Sequence, residues 1–160
     1  MPIHTSSQET INTLTAIFEK HKDERVCVVG TTCCGKSTLL KQIPNCVDMD
    51  ETLWPLLTQE EIDFVCQKPW TKEIGDYFDN LIYTKVKIEK GMPMFGTVIL
   101  DSDAVVYLDI ADDVLKAHCE MRKVSYEDAQ NMKTAIEADW NHHRAESKKM
   151  FYYVMITEKE

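Results

Sequence analysis

Apolar residues recur with two different periods along this chain, and each change of period marks an element. Ile11, Leu14, Ile17 and Phe18 return at helical spacing, which predicts an amphipathic helix over residues 6–22. An unbroken apolar run, residues 25–29, ends at Gly30 and fits a parallel strand buried on both faces. Residues 36–43 are helical again and are stopped by Pro44, and residues 45–50 can form a second short strand. Thr58-Gln59-Glu60-Glu61 is a capping-box pattern, opening a short helix that Lys68-Pro69 closes. Ile74, Tyr77, Phe78, Leu81, Ile82 and Val86 share one face of a long helix over residues 71–90, ending at Gly91. Residues 92–99 and 104–110 are expected as strands, and residues 111–122 as a helix. A further helix starts at Ser125 and buries Ala129, Met132, Ile136, Trp140 and His143. Residues 151–156 form the last strand.

Strands alternating with helices imply an α/β chain: a three-layer sandwich, with helices on both faces of a mostly parallel sheet of about five strands. All 160 residues make one domain, with residues 1–24 as an additional N-terminal helix and residues 111–146 as a lid-like helical pair. One connection is awkward. If the strands near residues 92–95 and 105–109 are parallel neighbours, the link is shorter than the usual crossover of about ten to twelve residues. A tight crossover is the favoured solution, an antiparallel pair the alternative.

Composition narrows the function. Apolar residues make up 44% and charged residues 28%, which is globular, and no apolar run approaches the ~20 residues of a membrane span. The N-terminus lacks the basic start and apolar core of a signal peptide, so a cytoplasmic location is expected. The six cysteines show no ligand spacing and read as free thiols. A net charge of −9 disfavours a nucleic-acid partner, because phosphate-backbone affinity comes from Lys and Arg.

The chemistry concentrates in Gly30-Thr31-Thr32-Cys33-Cys34-Gly35-Lys36-Ser37-Thr38. It follows a strand, opens a helix, and has the G-x-x-x-x-G-K-S spacing of a loop that wraps phosphates. Backbone N–H groups from residue 30 onward would converge on an anion, Lys36 would reach the β- and γ-phosphates, and Ser37 would place its hydroxyl on Mg²⁺. Cys33 and Cys34 lie inside the loop, where a helix N-terminus can activate a thiol.

With this loop, Asp48-Met49-Asp50 after the second strand, and the strand from Asp103 to Asp109 leading into a helix that reaches Arg122, the chain resembles the P-loop kinases of the nucleoside, nucleotide and shikimate kinase group. Arg144 stands where that family often has a further arginine. The resemblance implies ATP and Mg²⁺ as cofactors and a hydroxyl acceptor.

The residues themselves exclude other uses of a bound nucleotide. None of the five glycines has Asp three positions earlier, so the D-x-x-G of a GTPase switch is absent, as are N-K-x-D and L-S-G-G-Q. Phosphoryl transfer remains, in which positioning and charge stabilisation dominate. Asp50 is the candidate to orient or deprotonate the acceptor, with Lys36 and Arg122 as its catalytic partners. Asp48 is expected to help hold magnesium, and as i, i+2 residues on an extended segment Asp48 and Asp50 would project together. The resemblance makes Glu51 a rival base, because nucleoside kinases carry a Glu after this strand with a Trp shortly beyond, and by the same token implies that Trp54 touches substrate; Arg144 is a second candidate phosphate clamp. Trp70, Tyr77 and Phe78 are further aromatic candidates for stacking on a base.

The only arginines are Arg25, Arg122 and Arg144. Nothing between the first two can grip a phosphate or carboxylate bidentately, although Lys68, Lys72, Lys85 or Lys87 could serve as point charges. A small acceptor with a neutral hydroxyl end, a nucleoside or sugar-like metabolite, fits best. A nucleotide-binding protein without transferase activity, or a kinase acting on a nucleic-acid hydroxyl, are the alternatives.

Overall fold

The computed structural model describes residues 3–156 apart from Ser6, Cys33, Lys68 and Trp70, and of Ile3, His4, Thr5, Ser7 and Ser37 the backbone alone. A strand that the hydrophobic pattern does not announce, β1 (Ile3–Thr5), precedes the first helix, α1 (Ser7–Lys20). There follow β2 (Val26–Val29), α2 (Lys36–Gln42), β3 (Val47–Asp48), α3 (Met49–Leu53) and a 3-10 turn at Trp54–Leu56. The rest comprises α4 (Gln59–Val65), α5 (Lys72–Lys85), β4 (Met94–Gly96), β5 (Ala104–Ile110), α6 (Asp112–Arg122), α7 (Tyr126–Glu146) and β6 (Met150–Ile156).

The sheet has six strands, in the order β1-β6-β5-β2-β4-β3, and every pair is parallel. The chain is therefore an α/β protein with an all-parallel sheet and one strand more than expected. Side chains alternate across it. Val26 and Val28 of β2 share a core with Leu14, Ile17, Leu39 and Leu115; Cys27 and Val29 pack with Met49, Leu53, Ile82 and Trp140. Buried at every residue and paired on both edges, β2 is the centre of the sheet.

β1 gives the N-terminal helix a place. It lies beside β6, with Ile3 opposite Val154 and Thr5 opposite Ile156, and α1 carries the chain from that edge to the central strand. The awkward connection resolves differently from either expectation. β4 and β5 are parallel but not neighbours; β2 lies between them. Residues 97–103 cross over β2 without a helix, burying Val98, Ile99 and Leu100, while Cys27 Sγ donates to Val98 O at 3.5 Å. Arg25 secures the far end, donating from its backbone to Asp103 Oδ2 and from its guanidinium to Asp101 Oδ2, both at 2.9 Å.

Two expected boundaries move. The second strand stops at Asp48, and Met49 turns into α3 because its side chain, 0% exposed, packs over Gly96 of β4. The long helix ends at Lys85 rather than residue 90. Beyond it Val86 and Ile88 are buried while Lys87 and Glu89 are exposed, the alternation of extended chain. The capping box is present as read: Thr58 Oγ1 accepts from Glu61 N and Glu61 Oε1 accepts from Thr58 N. α6 ends on Lys123 in the left-handed region (φ 57°), with Val124 N bonded to Cys119 O at 2.9 Å. α6 and α7 bury Val114, Leu115, Ile136 and Trp140 against the sheet and leave their junction, residues 122–125, exposed.

Candidate functional site

The glycine loop leaves the carboxyl end of β2, at the place where the chain's connections part: α2 leads toward β3 on one side, and β5 lies on the other. Crevices at such switch points are where open parallel sheets bind ligands. Gly30 N still donates to Gly96 O of β4 at 3.1 Å, so the loop begins as a continuation of the sheet. A Cβ on Gly30 would meet Cys34 Sγ at 2.7 Å and Leu108 O at 3.0 Å, which is why glycine stands there. Gly35 needs its freedom for another reason, a φ of 102°. Cys34 is 1% exposed beneath the loop, inaccessible as a reactive thiol; Cys33 lies outside the described residues.

Among the described residues, the side chains of Thr31 and Lys36 are engaged with the protein itself. Lys36 Nζ bonds Gly30 O and, at 2.8 Å, Thr31 O, so its ammonium is turned back onto the loop's own carbonyls. Thr31 is 1% exposed and donates from Oγ1 to Ala129 O of α7 at 2.5 Å. Thr32 N points at the sulfur of Met132, also on α7, at 3.4 Å. Thr38 sits half-buried in the first turn of α2. Met132, expected in the core, is instead 37% exposed and meets the loop.

Beside the loop opens a cavity of about 410 Å³. Its walls include Lys36 from α2, Asp48 and Asp50 from the β3–α3 corner, and Arg122 from the end of α6, together with Gly75, Phe78 and Asp79 of α5 and Thr97. Four residues singled out from the sequence thus converge from three separated segments. Asp50 reaches it from a helical first turn, not from the extended segment anticipated, so the i, i+2 argument for its direction does not hold. Its carboxyl is exposed at the cavity mouth, yet crowding by the walls and then the charge of Asp48 raise its pKa above the usual carboxylate range, with Lys36 opposing. Asp79 is raised as well, by the same crowding and then by Asp76 and Asp50.

Other candidates lie elsewhere. Glu51 lines a different cavity, of about 580 Å³, with Lys41, Cys46 and Thr52; Asp48 borders both. Trp54, 39% exposed, leans on Phe78 (ring centroids 6.1 Å apart) without lining the 410 Å³ cavity. Tyr77 is turned to Phe64, at 4.6 Å, whereas Phe78 is a cavity wall. Arg144 stacks on Trp140, 4.6 Å from the ring, and donates to Asn141 Oδ1, without lining the 410 Å³ cavity. Lys72 pairs with Asp76 and Lys85 with Glu61, and Lys87 is exposed away from the cavity wall. Lys68, Trp70 and the Ser37 side chain lie outside the described residues. Among the described residues, Lys36 and Arg122 are the cations of the cavity wall, against Asp48, Asp50 and Asp79.

Asp79 and Thr97 escaped the sequence reading, which took from α5 its apolar stripe, two aromatic candidates and two lysines, but no carboxylate. Gly75, Phe78 and Asp79 stand at i, i+3 and i+4, and a glycine and a carboxylate sharing a helix face was the available signal.

No protein-family model matches this sequence, and no curated protein matches it significantly. Among the described residues no helix is long and apolar enough to cross a membrane.

Proposed function

We propose that this chain is an ATP-dependent kinase of the P-loop type, transferring the γ-phosphoryl group to a hydroxyl of a small molecule in the cytoplasm. The acceptor class is a nucleoside, nucleotide or sugar-like metabolite, and the metal is Mg²⁺. One observation carries the reading: Lys36, Asp48, Asp50 and Arg122 line a single cavity beside the glycine loop, at the carboxyl edge of the parallel sheet.

The donor set suits the group it would hold. The loop backbone and Lys36 supply positive character for phosphate oxygens. Asp48 offers the hard oxygen that Mg²⁺ prefers. Mg²⁺ keeps several waters and is held by one or two carboxylates with substrate phosphates, so Asp48 alone would suffice on the protein side. When bound with nucleotide, magnesium supplies charge neutralisation at the phosphates. Lys36 leaves the carbonyls of Gly30 and Thr31 to bond phosphate oxygens. Asp50 accepts the proton of the attacking hydroxyl, aided by a carboxyl pKa closer to neutrality than an ordinary aspartate. Arg122 pairs with the transferring phosphoryl oxygens as a planar two-pronged donor. A net charge of −9 disfavours a nucleic-acid end, which supports a small acceptor.

The test is ADP release from Mg-ATP against pooled nucleosides, nucleotides, sugars and sugar acids, with Lys36→Ala as control. Acceptor-dependent release that the substitution abolishes is the expected result. Tight ATP binding with no turnover in any pool would favour a nucleotide-binding protein without transferase activity, the reading to which the self-bonded Lys36 lends some weight.

A further inference from the structure

Met132 holds an unusual position. Its sulfur accepts from Thr32 N, a backbone donor of the glycine loop, at 3.4 Å, and its side chain is 37% exposed. It also forms common wall, with Asp79 and Thr97, between the 410 Å³ cavity and a second one of about 260 Å³ that runs on toward Tyr83 and Asp139. Met92, Met121 and Met150 are at least as exposed but line neither cavity, while Met49 and Met94 are buried. Met132 alone among these combines access to solvent with contact to the loop.

A thioether is a weak acceptor, easily displaced from an N–H by a phosphate oxygen. A sulfoxide oxygen is a strong one. It would hold Thr32 N–H in place of the ligand and turn the negative end of its dipole toward incoming phosphate. We propose that Met132 is an oxidation site, through which a hydroperoxide weakens nucleotide binding at the glycine loop. The inference rests on the nucleotide reading of that loop.

The chemistry balances with the peroxide as the only co-reactant. A sulfur lone pair attacks one peroxide oxygen, the S–O bond forms, and the O–O bond breaks. The departing hydroxide takes the proton released by the transferred oxygen and leaves as water. Sulfur loses two electrons and peroxide gains them. A sulfoxide reductase would restore the thioether.

α7 is held firmly enough for the change to be felt at the loop. Lys133, next to Met132, donates to Ile110 O at 2.7 Å and to Asp112 Oδ1 at 3.1 Å and lies 3.4 Å from Asp109, while Thr31 Oγ1 bonds Ala129 O one turn earlier. These bonds tie the helix down on both sides of Met132, which keeps the added oxygen within reach of Thr32 N.

The experiment measures Mg-ATP affinity calorimetrically on the full chain, untreated and after hydrogen peroxide followed by dithiothreitol. The thiol reverses disulfides and sulfenic acids but leaves methionine sulfoxide in place. Wild type is expected to lose about tenfold in affinity, the scale of one contested hydrogen bond to a charged ligand. Met132→Leu should keep its affinity through the same treatment, and Met132→Gln, with a carbonyl at similar reach, should bind weakly without treatment. Circular dichroism melting of each variant separates these effects from a loss of fold.

If peptide mass shows Met132 oxidised while ATP binds as before, the inference is overturned and the nucleotide reading survives. An equal loss in Met132→Leu overturns it too. If the untreated wild type binds no ATP, the nucleotide reading fails and takes this inference with it.

Discussion

Replacing Gly96 with alanine tests how the sheet sets the position of Asp50. A Cβ built on Gly96 lies 2.5 Å from Met49 Sδ and 2.7 Å from both Met49 Cβ and Cε. Ordinary carbon–carbon contact is about 3.5–4.0 Å, so the new methyl arrives roughly 1 Å too close. The sulfur and terminal methyl can swing aside. Met49 Cβ cannot, because it is fixed to the backbone of α3, so the helix itself must move.

Overpacking of this kind costs about 1–3 kcal/mol. In a domain of this size that lowers the melting temperature by about 2–4 °C for each kcal/mol. Asp50 follows Met49 on the same short helix, and a displacement near 1 Å at a reacting group can cost about 10²-fold in turnover. Gly96→Ala should therefore lose activity out of proportion to stability.

The assay pairs calorimetric melting with ADP release, in wild type and in a Met49→Ala background. That background removes the Sδ and Cε contacts but keeps the Cβ one, so the second substitution should be milder there without becoming neutral. Equal penalties in the two backgrounds, or an unchanged melting temperature in Gly96→Ala, would refute the reasoning.

Further outcomes follow from the same geometry. Asp50→Asn should lower turnover by about 10²–10⁴-fold with ATP affinity nearly unchanged, as calorimetry would show. A base must be ionised and the pKa of Asp50 is raised, so wild-type activity should fall on acidification at a higher pH than an ordinary aspartate would give; Asp48→Asn should move that limb down. The same shift means that folded protein binds this proton more tightly than unfolded chain, so ionising Asp50 costs stability as pH rises. Arg122→Ala should cost about 10²-fold in kcat, whereas Arg144→Ala, whose guanidinium lies on Trp140, should leave steady-state kinetics within about threefold. Thr58→Ala removes the Oγ1 that accepts from Glu61 N, leaving the bond from the residue 58 backbone N–H to Glu61 Oε1, and should destabilise by about 1 kcal/mol, read by urea denaturation.

Periodicity exposed those elements whose burial pattern is long enough to repeat. The seven residues of β5 are all buried and announce themselves, as do the apolar stripes of α1 and α5. β1 does not, because Ile-His-Thr is too short to establish a period and its stability comes from pairing with β6, distant in sequence. The turn from strand to helix at Met49 was hidden for a related reason. It depends on a methionine packing over a glycine of another strand, a contact that local pattern does not encode.

At the site, the loop and its two neighbouring aspartates were readable because motif spacing is local. Which of Asp50 and Glu51 faces the cavity was not, since on a helix adjacent residues diverge by about 100°. Arg144 is the other case: position in the sequence suggested a phosphate clamp, and the structure sets its guanidinium on the ring of Trp140 one turn away and off the wall of the 410 Å³ cavity.

The inward turn of Lys36 makes the glycine loop its own competitor. If the loop binds phosphate as proposed, an entering anion must first be exchanged for Gly30 O and Thr31 O, and the apparent affinity would be the intrinsic one reduced by the fraction of loops standing open. On the proposed nucleotide reading, such a latch favours ligands with many oxygens. A lone acetate has two, enough to replace the two carbonyls but none to spare for the loop amides, while a polyphosphate chain supplies acceptors for both at once. Discrimination against the abundant small anions surrounding the protein would then come from the cost of opening, before any part of a ligand beyond its phosphates has been touched.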